Sequence, residues 1–216
     1  MARRTASQAS RPAEILEEYG PFAEVSRVGG VTFDGKDVWF AAGDRIQSFD
    51  PASGKPGRAV PMTAEAGTAF DGRHLYQLSR GIIHKVDPRS GEVLSTLPSP
   101  APNCAGMTWA EGSLWVAAHH DRKIHQVDPE TGRVLRTIDA ARFVTGVTFV
   151  EGDLWYGTWE EDASDLRRAD PESGEVLETL TVPDDVRISG VESDGGDRLF
   201  CGDGHAKVRA VRRPRG

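Results

Sequence analysis

The stretch AAHHDRK at residues 117–123 sets two imidazoles, His119 and His120, beside the carboxylate of Asp121. Two later stretches carry similar groups. GTWEEDASD at 157–165 supplies Trp159, Glu160, Glu161 and Asp162, and CGDGHAK at 201–207 supplies Asp203 and His205. Imidazoles and carboxylates drawn from neighbouring loops have two chemistries open to them. They can ligate zinc or another divalent first-row ion, with His119, His120, Asp121 and His205 as the ligand set. They can instead move protons, since an unperturbed imidazole titrates near ~6.5 and a carboxylate such as Glu160 can act as its partner. A third reading, a hydrated polar loop, needs no chemistry at all. The HHD order has neither the helical H-x-x-x-H spacing nor a thiolate neighbour, so residue types alone leave all three open.

The elements that carry these residues belong to a repeat. GVTFDGKDVWFAAG from Gly30, GTAFDGRHLYQLSRG from Gly67, GMTWAEGSLWVAAHH from Gly106, GVTFVEGDLWYGTWE from Gly146 and GVESDGGDRLFCGDG from Gly190 are versions of one pattern. The leading glycines fall 37, 39, 40 and 44 residues apart. Each unit continues into a second pattern, such as KIHQVDPETGRVLRTI, so one period holds four short apolar runs separated by turns. Four strands in a period of about 40 residues is a propeller-blade signature. Asp34-Gly35, Asp71-Gly72, Glu111-Gly112 and Glu151-Gly152 are hairpin turns between the first and second runs. The Asp-Pro-x-Ser/Thr-Gly turns at Asp50, Asp87, Asp128 and Asp170 join the third and fourth runs. Trp39, Tyr76, Trp115, Trp155 and Phe200 recur at one place in the second run, which reads as blade-to-blade packing.

The fifth unit stops after its third run, and residues 13–20, AEILEEYG, have the composition of the missing outer strand. The reading is therefore an all-β, five-bladed β-propeller of four-stranded antiparallel blades. The N-terminal strand of about 13–20 pairs with residues near Val208 to Val211 and closes the ring, so that no open sheet edge is left there. Residues 13–212 form the single domain, 1–12 a disordered tail and 213–216 a basic tail.

In such a ring the short DG and DP turns share one end. The second-to-third loops and the interblade links share the other. The turns are uniform, whereas the loops differ from blade to blade, and irregular loops on a rigid scaffold are where sites usually sit. The loop end collects the groups of the opening stretch together with Glu65, Asn103, Cys104, Thr145, Arg187 and Ser189 from the links. Glu65, Asn103 and Thr145 would line the central funnel, with Asn103, Thr145, Trp159 and Asp203 as ligand contacts. His84 and His125 stand where other units have Gln47, Arg167 and Arg209, so they read as structural polar flanks; His74 reads as a surface residue of the turn end.

The bulk properties narrow the classes. With 33 acidic against 26 basic residues, a net charge of −7 argues against nucleic acid as a partner, although VRAVRRPRG at the end is locally basic. No apolar run is long enough to span a membrane, and MARRTASQASRPAE lacks the apolar core of a secretory signal. Two cysteines are too few for a disulfide framework. These features read as a cytoplasmic, monomeric protein that acts on a small molecule or peptide. Gly-rich phosphate loops, G-x-S-x-G elbows and CxxC pairs do not occur.

The units from Gly106 and Gly146 resemble the repeats of a broad propeller group that includes plant-type glutaminyl cyclotransferases and streptogramin B lyases. The resemblance spans about residues 25–212. The cyclotransferases are similar in having five blades and the wording GTWEE, and their catalytic glutamate enters an inner strand. The resemblance thus implies a catalytic role for Glu65, in Glu65-Ala66-Gly67. The lyases pair a histidine with a glutamate to open a lactone by elimination, which implies His119 or His205 with Glu160. Glu65, His119, His120, Glu160 and His205 are accordingly the catalytic candidates, with Trp159 holding an apolar part of the substrate. The alternative is a non-catalytic propeller presenting the same face to a ligand or protein.

Overall fold

The structure is a computed structural model that describes residues 9–215. All regular structure is β. Two short strands, β1 (Ala9–Pro12) and β2 (Ile15–Tyr19), precede the first blade. That blade is β3 (Val31–Phe33), β4 (Val38–Ala41), β5 (Gly43–Phe49) and β6 (Pro56–Ala64). The second is β7 (Thr68–Phe70), β8 (Leu75–Ser79), β9 (Ile82–Val86) and β10 (Val93–Pro98). The third is β11 (Cys104–Ala110), β12 (Ser113–Ala118), β13 (Lys123–Val127) and β14 (Val134–Asp139). The fourth is β15 (Val144–Val150), β16 (Asp153–Glu160), β17 (Ala163–Ala169) and β18 (Val176–Thr181). The fifth is β19 (Ile188–Ser193), β20 (Arg198–Asp203) and β21 (Val208–Arg212), completed by β2.

Strand β2 pairs antiparallel with β21, with Ile15 opposite Val211 and Tyr19 opposite Val208. The ring therefore closes as the repeat count requires. The Tyr19 ring packs 4.7 Å from Phe49 of the first blade and 6.4 Å from Phe200 of the fifth, and its hydroxyl donates to the Pro51 carbonyl at 3.0 Å. One side chain thus joins both sides of the seam. The N-terminal boundary differs from the sequence expectation of a disordered tail over 1–12. Residues 1–8 lie outside the described residues, but Ala9–Pro12 form β1, which adds in parallel to the outer edge of the fourth blade at Glu178–Thr181. Arg11 pairs with the buried Glu178 at 2.5 Å, a contact that explains why this short segment is held. The C-terminal boundary also differs. Arg213 is only 4% exposed, donates to the Gly196 carbonyl and pairs with Glu151 at 2.7 Å, so it belongs to the domain and not to a basic tail.

The core is divided among the blade interfaces. Trp39 packs with Leu75 and Val86 of the next blade, Tyr76 with Met107 and Leu114, Trp115 with Val147 and Leu154, and Trp155 with Val191 and Leu199; Phe200 joins Val31 and Val38 across the closing seam. The five recurring aromatics are at most 1% exposed, which accounts for their recurrence by packing alone.

The leading glycines have a separate cause. A Cβ on Gly67 would sit 2.7 Å from the Met107 nitrogen, and one on Gly190 would sit 2.7 Å from the Gly29 oxygen. Gly30, Gly106 and Gly146 meet the backbone of the following blade in the same way. Inner strands touch backbone to backbone around the axis, where no side chain fits.

The turns behave as their composition dictates. At each DP turn the aspartate accepts backbone N–H groups two and three residues on, as in Asp128 with Glu130 and Thr131 at 2.9 Å, and the glycine takes a positive φ. His74 is less superficial than expected of a turn residue, because its Nδ1 lies 3.1 Å from the Asp71 carboxylate.

Candidate functional site at the funnel mouth

A cavity of about 630 Å³ opens at the loop-and-link end of the ring. That volume is in the range of small-molecule sites. It is lined by Glu65, Asn103, His119, His120, Thr145 and Trp159, six of the residues singled out by the repeat register. Arg27, Pro102, Cys104, Arg187 and Ser189 complete much of the wall.

Several lining residues are placed by hydrogen bonds that tie the loops and links together. The N–H of His119, just beyond β12, donates to the Asn103 carbonyl at 2.9 Å. The Trp159 N–H, at the end of β16, donates to the Phe143 carbonyl at 3.1 Å. Glu65 occupies the link between β6 and β7, where the adjacent Ala66 carbonyl accepts the Gly30 N–H at 2.9 Å. Ser189 donates its hydroxyl to the Val28 carbonyl at 2.6 Å, so the links of the fifth and first blades are tied at the closing seam.

His119 is the best-defined chemical group. Its Nδ1 lies 2.9 Å from the Val144 carbonyl oxygen, which can only accept, so Nδ1 carries the proton. The neutral ring then has its lone pair on Nε2, the tautomer a proton acceptor needs. Its ring packs 4.6 Å from that of His120 and 5.2 Å from that of Phe143. Burial is the chief cause holding its pKa below the ordinary 6.5, against the opposing pull of the Val144 hydrogen bond. The ring is therefore neutral at pH 7.

Other candidates are spent on holding the scaffold. The Glu160 carboxylate is shared between Arg122 and Arg142, the latter at 3.7 Å, and it does not line the cavity. Asp203 is 1% exposed, pairs with Arg209 and accepts the backbone N–H of His205 at 2.7 Å, which makes it the organiser of its own loop. Both it and His205, which is exposed, stand outside the cavity wall. Asp121 is exposed as well. The metal set of His119, His120, Asp121 and His205 is not brought together: among the described residues no three His, Cys, Asp or Glu side chains converge to hold an ion. Asp121 and His205 are exposed on separate loops, and the nearby Glu160 and Asp203 are taken up by Arg122, Arg142 and Arg209.

Cys104 lines the cavity, but burial pushes its thiol up to about 11, and its Sγ lies 3.2 Å from the Ala101 carbonyl. The thiol stays protonated and unreactive at neutral pH. Cys201 is buried with its thiol pushed up to about 12, and both cysteines are free.

Two polar atoms of the wall are left without partners. The Thr145 hydroxyl and the Trp159 indole N–H are buried and make no hydrogen bond. Such a buried donor costs about 1–3 kcal/mol when unmatched. Arg187 lies over the Trp159 ring at 4.8 Å from its centroid.

Arg27 is the charged lining residue that the sequence reading does not single out. The repeat register contained the signal. Arg27-Val28-Gly29-Gly30 and Arg187-Ile188-Ser189-Gly190 are the same four positions of the first and fifth units.

These features define a five-bladed propeller with a polar cavity at its loop end. The propeller-repeat family model PQQ_2, described as outer membrane protein assembly factor BamB, matches residues 34–216, and the chain belongs to that family. Among solved structures, the crystal structure of Myxococcus xanthus glutaminyl cyclase is similar, with a TM-score of 0.79 at 18% identity, covering 95% of this chain and 98% of that one. At that identity the likeness establishes the shared fold. No curated protein matches the chain.

Proposed function

We propose that the funnel-mouth cavity is an acid–base site that processes a small molecule or peptide in the manner of a glutaminyl cyclase. The observation that carries this reading is the meeting of Glu65 and His119 in one cavity wall with Asn103, Thr145 and Trp159. In the corresponding reaction the α-amine of an N-terminal glutamine attacks its own side-chain carboxamide carbon. A ring C–N bond forms, the bond to the carboxamide nitrogen breaks, and ammonia leaves. One proton must pass from the attacking amine to the departing nitrogen. Glu65, at the entry of the second inner strand, is the group assigned to carry it, and neutral His119 is the second acceptor. Trp159 offers an apolar wall to the substrate.

A non-catalytic binding role is the second reading. It is favoured by the engagement of Glu160 and Asp203 in ion pairs, which leaves Glu65 as the cavity's carboxylate. The assembly named in the family description is compatible with it. Ammonia release from a glutaminyl peptide, followed by mass spectrometry, separates the two. The catalytic reading expects turnover that Glu65→Gln lowers by about 10²-fold or more, the usual contribution of a positioned proton carrier. Saturable binding without ammonia release supports the second reading instead.

A further inference from the structure

We infer that the cavity anchors its ligand by a carboxylate, held by Arg27 and Arg187 at the seam between the first and fifth blades. The inference rests on the cavity being a ligand site and adds the class of ligand. The two arginines occupy equivalent positions, three residues before Gly30 and Gly190. The corresponding residues of the second, third and fourth units are Ala64, Asn103 and Phe143, so the pair is confined to adjacent blades. The Ser189–Val28 bond ties the two links together, and both arginines line the cavity.

Neither guanidinium is neutralised by a buried acid. Arg27 donates to the Glu65 carbonyl at 3.2 Å and pairs with no carboxylate among the described residues. Arg187 meets Asp162 at 3.5 Å, but that carboxylate is 87% exposed, and a pair of this kind is weak and readily displaced. The contact of Arg187 with the Trp159 ring favours its position over the cavity wall in advance of binding. Each guanidinium is a planar fork that matches the oxygens of a carboxylate, and both line the same cavity.

For a peptide the anchor is a free C-terminal carboxylate close behind the first residue, so short peptides are favoured over long ones.

The probes are glutaminyl-glycine with a free carboxylate and the same dipeptide as its C-terminal amide, titrated calorimetrically against the intact protein. The free acid is expected to bind at least about tenfold more tightly, the ratio that one charge-assisted hydrogen bond supplies. Arg27→Gln and Arg187→Gln should each erase most of that preference. Both side chains are exposed, and an unchanged Tm confirms that the variants fold. Equal affinity for acid and amide, no binding of either, or a preference that survives both substitutions overturns the carboxylate anchor. Selective binding of the acid without ammonia release supports the anchor and refutes cyclisation. Turnover that ignores the C-terminal group refutes the anchor and leaves cyclisation standing.

Discussion

Glu192 shows how far a single residue can depart from its repeat. The units from Gly30, Gly106 and Gly146 place Thr32, Thr108 and Thr148 two residues after the leading glycine, and the fifth unit places a glutamate there. Its carboxylate is buried on the axis and accepts the Thr32 hydroxyl at 3.0 Å, the Thr108 hydroxyl at 3.1 Å, the Thr148 hydroxyl and the Ser193 N–H at 2.9 Å. None of these partners is a cation. Burial outweighs the hydrogen bonds and pushes its pKa up to about 7 from 4.5. A raised carboxyl pKa means that the folded state holds the proton more tightly than the unfolded chain. The stability this provides is complete below about pH 4.5 and is lost as pH rises through 7. Glu192→Gln, neutral at every pH, should match the wild type in urea unfolding at pH 4 and exceed it by about 2–3 kcal/mol at pH 8. A variant less stable than wild type at pH 8 refutes this account. His119 obeys the opposite logic, since its lowered pKa makes protonation of the folded state costly as pH falls below 6.5.

At the scale of elements, the two N-terminal strands divide their work. Strand β2 supplies the missing fourth strand of the last blade and buries Tyr19 in the closing seam, whereas β1 only extends the outer edge of the fourth blade. Deleting residues 1–12 should lower Tm modestly. Deleting residues 1–20 removes a core aromatic as well as a ladder of hydrogen bonds and should cost at least the about 3–5 kcal/mol of an aromatic truncation. Thermal unfolding of the two truncations checks this, and equal melting temperatures would count against closure through β2. The role of β2 was legible because the fifth unit visibly lacks a strand. That of β1 was not. ASRP has no alternating apolar pattern, and it is held by parallel pairing and by the Arg11–Glu178 contact between residues far apart in the chain.

Over the whole molecule, the same contrast between local and distant determinants explains which parts of the site could be read in advance. Period, turn chemistry and recurring aromatics are local signals, and they specify five blades, their order and the end of the ring that bears the irregular loops. Glu65, Asn103, His119, His120, Thr145 and Trp159 meet at the cavity because the repeat register alone determines that placement. Glu160, Asp203 and His205 share the same end but not the cavity. Arginines on other strands or loops, Arg122, Arg142 and Arg209, claim the two carboxylates, and no single loop's sequence reveals such pairings.

The central claim is that the loop-and-link end is the functional end. Amide hydrogen exchange with saturating glutaminyl-glycine tests it across the entire ring. Protection should appear at residues 27–29, 65–66, 103–105 and 187–189, with the DP turns at Asp50, Asp87, Asp128 and Asp170 unchanged. Protection concentrated at those turns, or none anywhere, would contradict the claim.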